Sequence, residues 1–301
     1  MATDLAIQQI LESAPDAVPM PATATAILQK SRQPDTSRQE IADLFKSDAA
    51  LTARVLRIVN SAYYGLPPQV GDVDNAVMLL GQQTIRNLVL TATMGGLGGQ
   101  GVAGYGLGKG GLFNHSLVVA QSAQTLSKEG HKSIPAEAYT AGLLHDIGKV
   151  VLAQHVEQRI TIIVETAQAS GVSFGEAERQ VLGLNHAEVG ATLAEKWELP
   201  DFLVGAIRAH HAAPPGDCSD DTTTLAATCI VANQVSRQAG AGVRSNETPD
   251  PEIPSVVSDI LVVNRSDFDE LKEMLHREIE QTMSILQGGN GESENGQSKG
   301  D

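Results

Sequence analysis

The sequence predicts an all-α protein built in two helical lobes, and three observations carry that prediction. Aromatic residues make up only 3% of the 301 positions while alanine, leucine and valine abound. Apolar side chains recur at three- and four-residue intervals along most of the chain. A glycine-rich stretch at 95–111 separates two such helical runs. An apolar content of 42% over this length suffices to bury a substantial core, either as one large domain or as two unequal lobes.

The first lobe, residues 1–94, carries helical patterns at 4–13, 20–32, 37–46, 48–61, 73–80 and 82–94. Asp35, Thr36, Ser37, Asp48 and Asp72 offer side-chain oxygens for N-caps. Asn60-Ser61-Ala62-Tyr63-Tyr64-Gly65 closes an apolar helix and reads as a helix stop, with side chains that cap carbonyls and pack on the next element.

Ten glycines fall between 95 and 111, a composition that loses too much backbone entropy to hold a regular element, so a flexible linker is expected. Its tail, Gly108-Lys109-Gly110, invites comparison with a phosphate-cradling loop. The hydroxyl after the lysine, the leading glycine at its required spacing and a preceding strand are all missing, which favours a solvated linker.

The second lobe, residues 112–240, resumes helical patterns at 112–129, 135–154, 156–170, 173–182, 186–197, 200–211 and 221–239, with Pro135 and Pro200 suited to first turns. A C-terminal extension, 241–287, follows. It is polar and proline-rich at 241–254, briefly apolar at 255–263, and amphipathic and helical at 266–286, and Leu261, Leu271, Met274, Leu275, Ile279, Met283 and Leu286 could form a packing stripe. Residues 288–301 lack apolar content and are expected to be disordered.

A formal charge of −15 with no basic patch disfavours nucleic acid as a partner. The two cysteines, Cys218 and Cys229, match no metal or redox spacing and offer no disulfide framework, which suits a reducing cytoplasm. The N-terminus shows no signal-peptide core, and no run approaches the roughly 18 apolar residues of a membrane span. A cytoplasmic protein without membrane contact is expected, and its input signal would arrive through another chain or a ligand.

Chemistry concentrates in Leu143-Leu144-His145-Asp146-Ile147-Gly148-Lys149, where three ionisable side chains interrupt an apolar run. Neighbours on a helix splay by about 100°, so His145 and Asp146 reach one pocket only if it lies over the bisector between them. Lys149, three residues after Asp146, shares that side. The imidazole is a nitrogen donor to a divalent ion, the carboxylate is a charged donor able to bridge two ions, and the ammonium is placed to meet a phosphate oxygen. Gly148 would allow another helix to approach closely. The plain alternative is a hydrogen-bonded core histidine with Asp146 paired to Lys149, but burying those groups together without metal is costly.

His115 stands near the start of one helix, His186 starts another behind the cap Asn185, and His210 and His211 close the helix that begins at Pro200. Each alone would be read as a surface or capping histidine. Together, five histidines and one aspartate on successive helices argue for a common centre.

His115, His145-Asp146, His186 and His210-His211, in this order and spacing, resemble the HD superfamily of metal-dependent phosphohydrolases. The block from Asn185-His186 through Ala194-Glu195-Lys196-Trp197-Glu198-Leu199-Pro200 to His210-His211 is similar to the HD-GYP branch, which hydrolyses cyclic di-GMP. In the first lobe, Met20-Pro21-Ala22-Thr23, Ser47-Asp48-Ala49-Ala50-Leu51-Thr52-Ala53-Arg54-Val55-Leu56, Asn60-Ser61-Ala62-Tyr63-Tyr64-Gly65 and Ala76-Val77-Met78-Leu79-Leu80-Gly81 resemble the HDOD family, the HD-related output domain of bacterial signalling proteins. This second resemblance spans about residues 15 to 215.

The resemblance implies His115, His145, Asp146, His186, His210 and His211 as ligands of one or two divalent transition-metal ions, iron, manganese, nickel or zinc. It gives Asp146 and Lys149 a catalytic role if turnover occurs, with Lys149 beside any bound phosphate. Other signalling proteins are the implied partners, and a nucleotide or phosphate the implied ligand. Two departures bear on activity. Asn233 stands where the phosphohydrolases carry a further metal-binding aspartate, and Ala212-Ala213-Pro214-Pro215-Gly216-Asp217-Cys218 replaces the Gly-Tyr-Pro element of the cyclic di-GMP enzymes. The expectation is a regulatory protein with a retained metal centre and little or no catalysis. A metal-dependent phosphohydrolase and a metal-free scaffold are the rivals.

Overall fold

The computed structural model describes residues 2–61, 70–97, 101–129, 134–212, 220–241, 270 and 273–280. Among these residues the elements are α-helices, short turns and a single isolated bridge, Val102 to Leu107, with no strand.

The first lobe is built from α2 (Ala22–Lys30), α3 (Arg38–Lys46), α4 (Ala49–Val59), α5 (Val73–Leu79) and α6 (Gln82–Leu97), preceded by α1 (Ala2–Ala17). Three of the expected caps close their helices. Ser37 and Glu40 form a reciprocal capping box on α3, Asp48 accepts from the Leu51 amide, and Asp72 accepts from the Asn75 amide. Ile27, Ile41, Phe45, Leu51, Val55, Ile85 and Leu88 form the buried centre of this lobe. Asn60 ends α4 and clamps Val70, accepting from its amide at 2.7 Å and donating to its carbonyl at 2.8 Å. Tyr63 and Tyr64 lie outside the described residues. Against the expectation of one compact N-terminal unit, α1 packs on α9 (Gly148–Glu157) and α12 (His186–Lys196) of the second lobe.

Over its described residues the glycine-rich stretch is not a solvated linker. Gly95 and Gly96 continue α6, and beyond it a 3₁₀ turn spans Ala103–Tyr105 with Val102, Tyr105 and Leu107 buried. Composition alone counts the entropy that glycine loses and misses the close contacts it permits. A methyl group on Gly104 would lie 2.0 Å from the carbonyl oxygen of Ala153, so only a bare Cα lets the turn rest on α9.

The second lobe continues with α7 (Gly111–Glu129), α8 (Ala138–Leu144), α9, α10 (Ile160–Ser170), α11 (Phe174–Leu182), α12, α13 (Asp201–Ala209) and α14 (Asp221–Gln238). The helix expected over 135–154 divides at His145-Asp146-Ile147 into α8 and α9. Bonds from the amides of Ile147, Lys149 and Val150 to carbonyls three residues back tighten the chain there. α8 packs against α7 and α14, while α12 is flanked by α9 and α13. The lobes meet where α6 touches α8, with the Thr91 and Tyr139 hydroxyls 2.9 Å apart, and the buried apolar residues form one continuous core.

Residues 273–280 are helical with Leu275 and Ile279 buried, and the Thr125 hydroxyl on α7 donates to Glu278 at 2.7 Å. The segments 242–269 and 281–301, including the expected apolar piece at 255–263 and the expected disordered tail, lie outside the described residues. No described helix is long and apolar enough to cross a membrane.

Candidate metal centre

Four helices and one tight turn bring the predicted residues together. His115 points in from the first turns of α7, and His145 and Asp146 from the turn between α8 and α9. Lys149 begins α9. His186 is the first residue of α12 behind the reciprocal cap of Asn185 and Glu188, and His210 and His211 follow α13. The close seating of α9 on α12 depends on Gly148, where a Cβ would lie 2.0 Å from the His186 carbonyl oxygen. Gly175 of α11 similarly leaves room for the ring of His211.

Asp146 sits at the middle with no exposed surface. Its Oδ2 faces His115 Nε2 and His145 Nε2, each at 3.3 Å, and Lys149 Nζ at 2.8 Å. Its Oδ1 faces His186 Nε2 at 3.2 Å and His210 Nε2 at 3.7 Å. The donor atoms thus divide into two sets, Asp146 with His115 and His145, and Asp146 with His186, His210 and His211. One carboxylate shared by two clusters is the arrangement that can bridge two ions.

The hydrogen bonds on the far side of each ring decide what faces inward. Nδ1 of His115 lies 2.9 Å from the Ala241 carbonyl, that of His145 2.7 Å from Gly142, and that of His210 2.6 Å from Ile207. Nδ1 of His186 meets Glu178. These oxygens are acceptors, so each Nδ1 carries the hydrogen and each Nε2 is turned on Asp146, with a lone pair wherever the ring is neutral. Lone pairs at this distance from carboxylate oxygens repel unless a proton or cation lies between them. Both Asp146 oxygens and the Nε2 atoms of His145 and His210 make no hydrogen bond of good geometry despite full burial. Outward Nδ1–H and inward Nε2 are the orientation that metal-binding histidines adopt. The residues present therefore fit a divalent ion with nitrogen and carboxylate donors.

Charge is distributed unevenly among the rings. Burial lowers His145 below the usual imidazole range and His210 to about 4. Burial, reinforced by His210 and His186, holds His211 well below that range. For His186 burial again opposes the charged form, but the charge of Glu178, the facing Asp146 carboxylate and the bond to Glu178 outweigh it and push the ring up to about 9. Burial likewise opposes ionisation of Asp146, yet the facing His145 ring, the charge of Lys149 and the nearby His115 ring outweigh it and keep it well below the usual carboxyl range.

Two residues at the site escape the sequence reading. Glu178 of α11 is wholly buried and bonds His186, and Tyr105 of the glycine-rich segment donates its hydroxyl to Glu178 at 2.5 Å. Glu178 lies on the apolar stripe Phe174, Ala177, Glu178, Val181, and an acid at such a position is the signal that could have marked it. Tyr105 carries no comparable signal. Asn233 is buried on α14, which packs against α7 and α8, and its side-chain oxygen has no hydrogen-bond partner among the described residues.

The HDOD domain family matches the chain over residues 18–213. A curated relative, an uncharacterized protein of Treponema pallidum (strain Nichols), is 27% identical over 236 residues, covering 78% of this chain. The aligned part spans 44% of that relative's length. Among solved structures, an HDOD domain protein of unknown function from Geobacter sulfurreducens is 26% identical with a TM-score of 0.70, covering 93% of this chain and 98% of that one. A candidate phosphohydrolase from Shewanella amazonensis SB2B is 25% identical with a TM-score of 0.65, covering 92% and 96%. The match over residues 18–213, most of the helical body, places the chain in the HDOD family, and the similar solved structure agrees.

Proposed function

We propose that this chain is a regulatory protein of signal transduction that holds one or two divalent transition-metal ions at Asp146, with His115, His145, His186, His210 and His211 as the remaining ligands. The observation that carries this reading is the common orientation of four buried imidazoles, each with Nδ1 engaged outward and Nε2 turned on one carboxylate. When bound, such an ion supplies positive charge and Lewis acidity. The chain's own residues orient the donors, exclude water and place the Lys149 ammonium beside Asp146.

Three features support a structural and regulatory use over turnover. His145 and Asp146 have no exposed surface, and His115, His186 and His210 are no more than 3% exposed, which leaves little access for a phosphoester. Asn233 offers a neutral oxygen where the phosphohydrolases have a carboxylate, and the Gly-Tyr-Pro element is replaced. Ligands drawn from α7, α12, α13 and the α8–α9 turn would let an ion fix how these helices sit together, an equilibrium that a signalling partner could read.

The second reading is a metal-dependent phosphohydrolase, favoured by Lys149, whose Nζ is 2.8 Å from Asp146 and positioned for a phosphoryl oxygen. A panel of cyclic dinucleotides, nucleotides and simple phosphoesters, assayed with manganese or iron supplied, separates the two. The regulatory reading expects no turnover in metal-loaded protein. Turnover that disappears in His145→Ala would select the phosphohydrolase instead.

A further inference from the structure

We infer that Tyr105 and Glu178 are positioning residues for the metal centre: the glycine-rich segment, acting through Glu178, holds the His186 ring so that Nε2 faces Asp146. The inference rests on the metal-binding reading above. It arises from a difference among the four inward-facing histidines. His145 and His210 donate to carbonyls three residues back in their own helical turns, and His115 donates to a backbone carbonyl after α14. Backbone acceptors of this kind are fixed by the fold. His186 alone of the four is oriented by a side chain, Glu178, which has rotatable bonds and must itself be held.

The structure shows what holds it. Glu178 Oε2 accepts from both the ring Nδ1 of His186 and its backbone amide, the latter at 3.2 Å, while Oε1 accepts from the Tyr105 hydroxyl at 2.5 Å. Both Glu178 and Tyr105 have no exposed surface. The Tyr105 ring meets His186 edge-on at 6.0 Å and 86°, packs against Phe174 at 6.0 Å, and has Lys149 Nζ 5.2 Å above its face. One phenol thus touches the group that orients a ligand, the ligand itself and the lysine at Asp146. Gly104 secures that phenol by letting the 3₁₀ turn lie on the Ala153 carbonyl. An outer partner of this kind fixes ring orientation and raises donor basicity, and its loss typically costs about 10- to 100-fold in metal affinity.

The test is a double-mutant cycle on metal-depleted full-length protein titrated with cobalt(II), reading both the dissociation constant and the visible ligand-field spectrum. Glu178→Ala is expected to weaken cobalt binding by about 10- to 100-fold. Tyr105→Phe, which keeps the ring and its packing but leaves a Glu178 oxygen without its donor, should weaken binding less and alter the spectrum, a change that a general loss of stability would not produce. Its effect should vanish in the Glu178→Ala background, because Tyr105 acts through that residue. Glu178→Gln, close in size, takes the place of Glu178→Ala if the latter does not fold. Wild-type affinity and spectrum in Tyr105→Phe, or a Tyr105→Phe effect that persists in full without Glu178, would overturn the inference while leaving the metal reading intact. A wild-type protein that binds no cobalt would overturn both.

Discussion

Nε2 of His211 lies 2.8 Å from Nε2 of His186, and the space between these two ring nitrogens admits a single hydrogen. His186 already spends its Nδ1 hydrogen on Glu178. With His186 pushed up to about 9 and His211 held well below the usual imidazole range, the hydrogen belongs to His186 in the metal-free protein at neutral pH.

Metal capture at this position must therefore displace a proton. Addition of metal at pH 7 is expected to release about one proton from His186, and this contribution should fade as the pH rises through about 9. Calorimetric titration in buffers of different ionisation enthalpy measures the release. Uptake without proton release at pH 7 would show that His186 does not bind through Nε2.

Removing metal should loosen the lobe. An ion that binds only the folded chain adds about 2.7 kcal/mol of stability at a hundredfold excess over its dissociation constant. Chelator-treated protein is expected to melt several degrees lower, at roughly 2–4 °C per kcal/mol for a chain of this size, and to recover when metal is restored. A melting temperature unchanged by chelation and reloading would count against a metal tied to these helices.

Gly148→Ala should be among the more damaging single substitutions. The new methyl would sit 2.0 Å from the His186 carbonyl oxygen and 2.7 Å from the Gly190 amide nitrogen, both backbone atoms that cannot swing aside. Overpacking of this kind costs about 1–3 kcal/mol and occasionally more. Thermal denaturation should show a lowered midpoint, and metal affinity should fall as α9 and α12 part. Gly108→Ala, where a methyl meets nothing within 4 Å, is the control expected to leave both unchanged.

Cys229 is buried on α14, and burial pushes its thiol up to about 12. In a Cys218→Ala background, thiol reagents at pH 8 should label Cys229 only as the protein unfolds. The raised folded value means the protonated thiol stabilises the fold below its ordinary value near 9, and that contribution is lost as the pH rises from there through about 12. Rapid labelling of the native protein at pH 8 would contradict this placement.

Much of the site was legible because its residues are chemically conspicuous. A histidine, an aspartate and a lysine within an apolar heptad, a capped histidine at Asn185-His186 and a glycine at 148 each carried a local reason that the structure shares. What was not legible depends on tertiary contact. The division of 135–154 at His145 follows from the turn closing around Asp146, and periodicity does not distinguish it from a continuous helix. The order of the glycine-rich segment comes from the fit of Gly104 on Ala153, and Tyr105 joins the site only through that fit. α1 shows a good amphipathic pattern, but pattern does not say which lobe it covers.

The most direct test is elemental analysis of protein purified without an affinity tag, compared with Asp146→Ala prepared in the same way. The account predicts at least one equivalent of a divalent transition metal in the wild-type chain and its loss in the variant, since Asp146 belongs to both donor sets. Wild-type protein that is free of metal and takes up none when ions are added, or a variant that retains the full complement, would contradict it.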